Sequence, residues 1–388
     1  MSSFINNARL LPRTFWVLAW ATFVNRFGLF VWPFLTLFIT SQGNTAAQAG
    51  IAVSCYSIGA FLAAWLGGWL ADRLGRNVTM ALSAFSGGLC MLLLSQASDW
   101  RLLAALALIT GLTTESGQSA GNALVQDLVP PELRVTAFST LRFCINAGWS
   151  LGPMTAGLLA KHSFFWLFVV DAVTSFFFAF ICLLYLPRGR RSEAHLAGWG
   201  VAWQSIRLNG PFLAMCAASA LNAWVWRMTN TAFPLHFGTS HLPLDWCGYV
   251  LALNGVMIIT LEPFFASATV RWPVRFMLAT GYVIMGSSFL PLLFANGIEG
   301  FVLCMIIFTI GEMFAFSRQH AYVASLSPED MRGRYSGFHS FAWSLGGIVS
   351  SVGGLSLYEL SHNAVWLVSA VCGLLAAVII ATRGRQSA

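Results

Sequence analysis

GGWLADRLGRN, Gly67 to Asn77, stands between two apolar runs, Ile51–Leu66 and Val78–Leu94, and sets Asp72, Arg73 and Arg76 within five positions. Such a cluster is costly here, because Asp, Glu, Lys and Arg make up only 9% of the 388 residues, against 57% hydrophobic. Mean hydropathy is +0.71, and 16 Trp and 32 Phe add to an apolar excess that one soluble core cannot enclose. The natural solvent is a bilayer, and the stretch is then a charged turn between two spans. The net charge of +7 is scattered along the chain, which argues against nucleic acid as a partner. Eight Cys form no CxxC pair and read as small buried apolar residues, with no disulfide framework and no metal site. The first apolar run is long enough to span, with no small-residue cleavage site after it, so no cleavable signal peptide is expected.

Crossing a bilayer takes about 20 apolar residues. Segments of that size fall near Thr14–Thr40, Gly50–Ala71, Val78–Ser95, Leu102–Val125, Thr136–Ala160 and Phe164–Leu186. After a basic break they resume near Pro211–Phe237, Trp246–Ala266, Phe276–Ala295, Gly300–Leu326, Tyr335–Leu357 and Ala364–Thr382. The expectation is an all-α membrane protein of twelve transmembrane helices. Cytoplasmic loops collect Lys and Arg. With the N terminus inside, 15 of the 21 basic residues are cytoplasmic and only Arg101 and Lys161 lie outside. Both termini are then cytoplasmic, and Arg26, Arg142, Arg227 and Arg318 fall within spans.

VQDLVPPELR, Val125–Arg134, resembles VASLSPEDMR, Val323–Arg332, at an offset of 198, and Phe143 and Gly148 then pair with Phe341 and Gly346. Arg26 precedes Pro33-Phe34 by seven residues, as Arg227 precedes Pro234-Leu235, at an offset of 201. These echoes predict two six-helix halves, residues 1–186 and 211–388, joined by a cytoplasmic linker, 187–210. Repeat halves around a shared site are a common plan of secondary transporters.

The opening stretch also resembles the cytoplasmic motif of the major facilitator superfamily, G-x-L-a-D-r-x-G-r-[KR]. Gly68, Leu70, Asp72, Arg73, Gly75 and Arg76 match, while Asn77 departs where the family has a base. NAGWSLGPMTAG, Asn146–Gly157, resembles the family's fifth-helix motif through Gly148, Gly152, Pro153, Ala156 and Gly157. The resemblance implies two six-helix bundles around a central cavity lined by helices 1, 4, 7 and 10. It also implies that the cytoplasmic motif is a conformational latch, in which the aspartate caps a helix of the C half and an arginine pairs with an acid at the end of helix 4. Asp127 stands in the place of that acid.

Ionisable groups at mid-membrane are expensive and functional by default. Arg26 and Glu115 fall near the centres of spans one and four, and Arg227 and Glu312 near those of spans seven and ten. The resemblance puts all four on cavity helices, where they would bind a polar or charged substrate and carry the proton. Two self-neutralising pairs that merely tie helices together are the plainer alternative. Gln118, Ser119, Asn122 and Gln126 follow Glu115 as a polar stripe. Gln319 shares the face of Glu312, and His320 lies close to it and could titrate in the physiological range. Arg318 points away, and Asp171 and Glu262 read as structural. Trp16, Trp20, Phe27, Trp32, Trp224 and Trp226 read mainly as lipid-facing or interfacial residues that could also wall a cavity. GQSAG, Gly117–Gly121, imitates a nucleophile elbow but lies inside an apolar helix instead of a strand–helix turn. There is no phosphate loop, so no nucleotide cofactor is expected.

Three functions compete. The first is a proton-coupled exporter of small amphipathic molecules, implied by resemblance to the drug:proton antiporters through the fifth-helix motif. Its departure is the absence of their basic fourth-helix motif, with Glu115 in its place. The second is proton symport for uptake of an anionic, zwitterionic or peptide-like solute. The third, a non-transporting receptor or membrane-embedded enzyme, lacks a catalytic constellation. The chain reads as a monomer in a bacterial cytoplasmic membrane. Its partners would be lipid, a small-molecule substrate and protons, with the proton as coupling ion in place of any cofactor.

Overall fold

The computed structural model describes residues 8–29, 31–189, 199–269, 271–295, 297–328 and 331–383. Among them are fifteen α-helices and no strand. In chain order they are α1 Arg13–Phe27, α2 Val31–Ser41, α3 Ala46–Leu74, α4 Arg76–Leu94, α5 Trp100–Leu128, α6 Arg134–Ala160, α7 Phe165–Tyr185 and α8 Trp199–Leu208. Then come α9 Gly210–Met228, α10 Ala232–Thr239, α11 Leu244–Ala268, α12 Val274–Ser287, α13 Ile298–Leu326, α14 Arg332–Leu360 and α15 His362–Arg383. Helix is the expected answer to a bilayer, which offers backbone N–H and C=O groups no other partner. Nine stretches among the described residues are long and apolar enough to cross a membrane. The other expected spans, α5, α6 and α9 with α10, are also helical and more polar.

Helix α7 shows what the bilayer does to a helical pattern. Asp171, Ser175, Ala179 and Cys182 share its buried face, while Val173, Phe177, Phe180 and Leu184 are exposed. Polar groups turn inward and aromatics outward, the reverse of a helix in water.

Spans one and seven were expected to be continuous, and both are broken. Helix α1 ends at Phe27 and α9 at Met228, each with an arginine in its last turn, Arg26 and Arg227. The next helix carries proline as its third residue, Pro33 in α2 and Pro234 in α10. Proline has no N–H to return to the preceding turn and crowds its carbonyl. The arginines also lie where the helix dipole favours a cation. The echo of arginine and proline therefore marks two discontinuous spans.

By contacts the chain divides into two units, Met1–Asn44 with Cys55–Ala194, and Thr45–Ser54 with His195–Ala388. The first is built on Phe15, Leu18, Leu124, Leu141 and Cys182 among others. In the second, Phe212, Phe233, Phe301 and Trp366 are fully buried. The first residues of α3 count with this unit, where Ser54 Oγ donates to Ile348 O at 2.9 Å and Ala47 N–H to Glu359 Oε1 at 2.8 Å. The expected linker, 187–210, contains α8, tied to α14 by the Ser205–Tyr335 hydroxyl pair at 2.8 Å. The basic stretch 190–195 lies outside the described residues.

Glycine decides how closely α6 meets α1. A Cβ at Gly148 would stand 2.8 Å from both Arg26 Cβ and the Phe27 backbone nitrogen. Backbone cannot withdraw as a side chain can, so Gly148→Val should lower stability by about 1–3 kcal/mol, the usual range for overpacking. Thermal unfolding in detergent checks this, and an unchanged midpoint would mean that α1 and α6 are free to part.

Candidate functional site

In the first unit a cavity of about 100 Å³ is lined by residues of α1, α3, α4, α5, α6 and α7. Arg26, Glu115, Gln118 and Asn122 all line it, with Asn25, Tyr56 and Ser175. Four side chains expected at the site thus come together. The carboxylate of Glu115 takes its hydrogen bond from Tyr56 Oη at 3.1 Å, and Trp32 covers that tyrosine with ring centroids 3.8 Å apart. Arg26 forms no ion pair with Glu115 among the described contacts, and its Nε is buried without a partner. Two charges therefore share one cavity without neutralising each other directly.

Behind the wall lies a carboxyl that the sequence reading rated structural. Asn25 Nδ2 donates to Ser175 Oγ at 3.3 Å, and Ser175 Oγ donates to Asp171 Oδ1 at 3.5 Å. Asp171 is buried, and the Val31 backbone N–H and the Arg26 charge also bear on its carboxyl. A buried acid in a bilayer unit is an expensive feature. Tyr56 was missed because a tyrosine in an apolar run carries no charge signal. Its polar tip matters only once the fold sets it against Glu115.

In the second unit Glu312 accepts from Asn254 Nδ2 at 2.7 Å and from Trp226 Nε1 at 3.4 Å, and Asn254 also donates to Thr309 Oγ1 at 3.0 Å. Arg227 lies 6.0 Å from the Trp226 ring centroid, against Gly347, where a Cβ would meet its Nη2 at 3.0 Å. Gln319 is buried, and its Nε2 lies 3.4 Å from His339 Nε2. The side chain of His320 is outside the described residues, so the histidine found on this face is His339, which the sequence reading passed over. Arg318 turns away from Glu312 and donates to Thr269 O at 3.0 Å.

The charged turn between α3 and α4 is an anchoring point of the first unit. Arg76 forms an ion pair with Asp127 and also donates to the carbonyl of Ala123. The Arg76 N–H reaches Arg188 O at 2.8 Å, and Asn77 Nδ2 donates to Leu186 O at 3.0 Å. Gly75 holds φ at +95° in the turn, a conformation glycine adopts freely. Asn77, the departure from the family pattern, thus bonds the chain just after α7. Arg73 is exposed and stacks on Trp69 at 4.4 Å. Gly68 and the side chain of Asp72 lie outside what the structure describes. Gly152, Pro153 and Gly157 are buried in α6 with Gly148.

Known proteins sharpen the picture. The chain is 22% identical over 395 residues to the multidrug resistance protein MdtH of Escherichia coli (strain K12 / DH10B), covering 89% of this chain and 87% of that protein. It is 21% identical over 364 residues to a Na(+), Li(+), K(+)/H(+) antiporter of Planococcus maritimus, covering 85% and 86%. A solved peptide transporter, POT in complex with sulfate, shares the fold at a TM-score of 0.78 with 18% identity, over 95% of this chain and 94% of that one. The Major Facilitator Superfamily family model matches residues 18–351 and 215–386. The chain is an integral membrane transporter of the major facilitator superfamily.

Proposed function

We propose that this transporter is a proton-coupled antiporter that exports small amphipathic molecules from the cytoplasm by alternating access. The observation that carries the reading is the cavity in the first unit, where Arg26 and Glu115 face one space at mid-span without pairing. Such a space can hold a polar head while a carboxyl changes its proton. The multidrug relative supports an amphipathic substrate, and the cation/proton antiporter supports exchange. In this reading both termini are cytoplasmic, the membrane is the bacterial inner membrane, the monomer is the working unit, and the Arg76–Asp127 turn is the latch. The unpartnered Arg26 Nε favours one second reading, uptake of an anionic or zwitterionic solute by proton symport.

Everted membrane vesicles test both. Respiration acidifies their lumen, and ethidium, tetraphenylphosphonium and a dipeptide are supplied in turn. Antiport accumulates a compound in the lumen as the gradient partly collapses. Symport drives the compound out of the lumen along with protons. A gradient insensitive to every compound would sink the proton-coupled reading.

A further inference from the structure

The second unit contains a buried titratable side chain that the proposed function does not yet use. His339 of α14 is 6% exposed, Gln319 of α13 3% and Ser219 of α9 0%. Ser219 Oγ lies 2.8 Å from His339 Nε2, and Gln319 Nε2 lies 3.4 Å from the same nitrogen. Both neighbours can donate, so the neutral ring is best served with Nε2 as acceptor and its proton on Nδ1. Gln319 Oε1 is buried without a partner, an acceptor in reserve for a charged ring.

Two helices place an aromatic between the levels of Glu312 and His339: α13 runs Glu312, Phe316, Gln319, and α14 in the opposite sense runs His339, Trp343, Gly347. Helix α9 runs Ser219, Asn222, Trp226 beside them. Between the carboxylate and the histidine stands an aromatic layer, with Trp343 6.1 Å from Trp226 and 5.6 Å from Phe316. Trp226 belongs to both levels, since its Nε1 also donates to Glu312 at 3.4 Å. Asn222 bridges the gap on α9, fully buried, with Nδ2 and Oδ1 both lacking partners. Such an amide can hydrogen-bond to whatever carries a proton past the aromatic layer, without itself taking the proton up.

We infer that His339 is a second proton carrier, passing protons between Glu312 and the end of the second unit that carries Arg207 and Arg318, where Asn209 Nδ2 donates to Leu326 O, with Trp226, Phe316 and Trp343 as the barrier between them. The inference rests on the proposed proton coupling and on the orientation that puts that end in the cytoplasm. Glu312 gives up its carboxyl proton and becomes a carboxylate. His339 takes the proton on Nε2, Ser219 turning its hydroxyl to accept, and then releases it to water and returns to neutral. Among the groups around this layer, Tyr282 of α12 stands beside Ser219 and Tyr322 of α13 near Tyr282. Arg318 of α13 is turned toward Thr269, and Arg207 of α8 is exposed.

The test uses the purified full chain in proteoliposomes, with ethidium as probe and an imposed pH gradient. His339→Gln keeps a hydrogen-bonding side chain and removes the titrating one. Gradient-driven ethidium transport should fall about a hundredfold, the lower end of what a positioned proton-transfer group contributes, while ethidium exchange without a gradient stays within about twofold. The pH profile of transport should also flatten. Ser219→Ala is the milder variant, expected to displace the profile without abolishing transport, and it serves if His339→Gln does not fold. Transport by either variant at the wild-type rate with the wild-type profile overturns the inference alone. Parallel loss of exchange and transport in both variants makes the cluster structural and overturns it too. A wild type that moves ethidium without protons overturns the proposed coupling, and this inference with it.

Discussion

Glu312→Gln is expected to abolish proton-driven transport while leaving substrate binding and exchange in place. The carboxylate is held by two donors, Asn254 at 2.7 Å and Trp226 at 3.4 Å. A glutamine fills the same space and can still accept through its oxygen, so the local packing survives. It cannot gain or lose a proton. One proton crossing with about 100 mV contributes about 2.3 kcal/mol from the potential alone, and the variant forfeits that driving force. Transport should fall at least about a hundredfold, in keeping with loss of a positioned acid. Glu115 is the rival, and Glu115→Gln belongs beside it in the same assay. If Glu312→Gln pumps normally and Glu115→Gln does not, coupling belongs to the first unit.

Asp127→Asn should produce the largest loss of stability. The ion pair with Arg76 is mostly buried, at 10% and 16% side-chain exposure. Removing one partner of a buried pair strands the other and costs about 3–5 kcal/mol. The remaining acceptor of Arg76, the carbonyl of Ala123, carries no full charge. The damage should spread to 186–189, since Arg76 and Asn77 hold the carbonyls of Arg188 and Leu186. Thermal unfolding in detergent should show the drop, with faster proteolysis after α7. The double variant Arg76→Met with Asp127→Leu should recover part of the loss, because it leaves no charge stranded. A wild-type midpoint for Asp127→Asn would show that the pair contributes little.

The fold was legible because a bilayer leaves few choices. Long apolar runs separated by arginine-bearing turns can hardly be anything but a helical bundle. The breaks after Arg26 and Arg227 were written in the spacing of arginine and proline, yet the hydropathy of the flanking residues is continuous and hid them. At the site, Arg26, Glu115, Gln118 and Asn122 declared themselves by polarity in an apolar setting. Tyr56, Asn254 and His339 did not, because each reads as ordinary until a neighbouring helix brings it to a carboxylate or an amide. Only the packing distinguishes such a side chain from a satisfied core residue.

Two of the donors that hold the carboxylates stand at matching positions. Tyr56 and Asn254 are separated by 198 residues, the interval that also relates the paired loop motifs. Each donates to the mid-helix acid of its own half, Tyr56 to Glu115 and Asn254 to Glu312. The acids themselves are out of step, for the same interval carries Glu115 to Met313 and brings Glu312 back to Thr114. One residue along a helix turns a side chain by about 100°. The halves therefore match at the donor and differ by one position at the acid, which sets the acid on a different side of its helix in each half. The two carboxyls are thus approached from different directions, and a substitution that is silent in one half says little about its counterpart in the other.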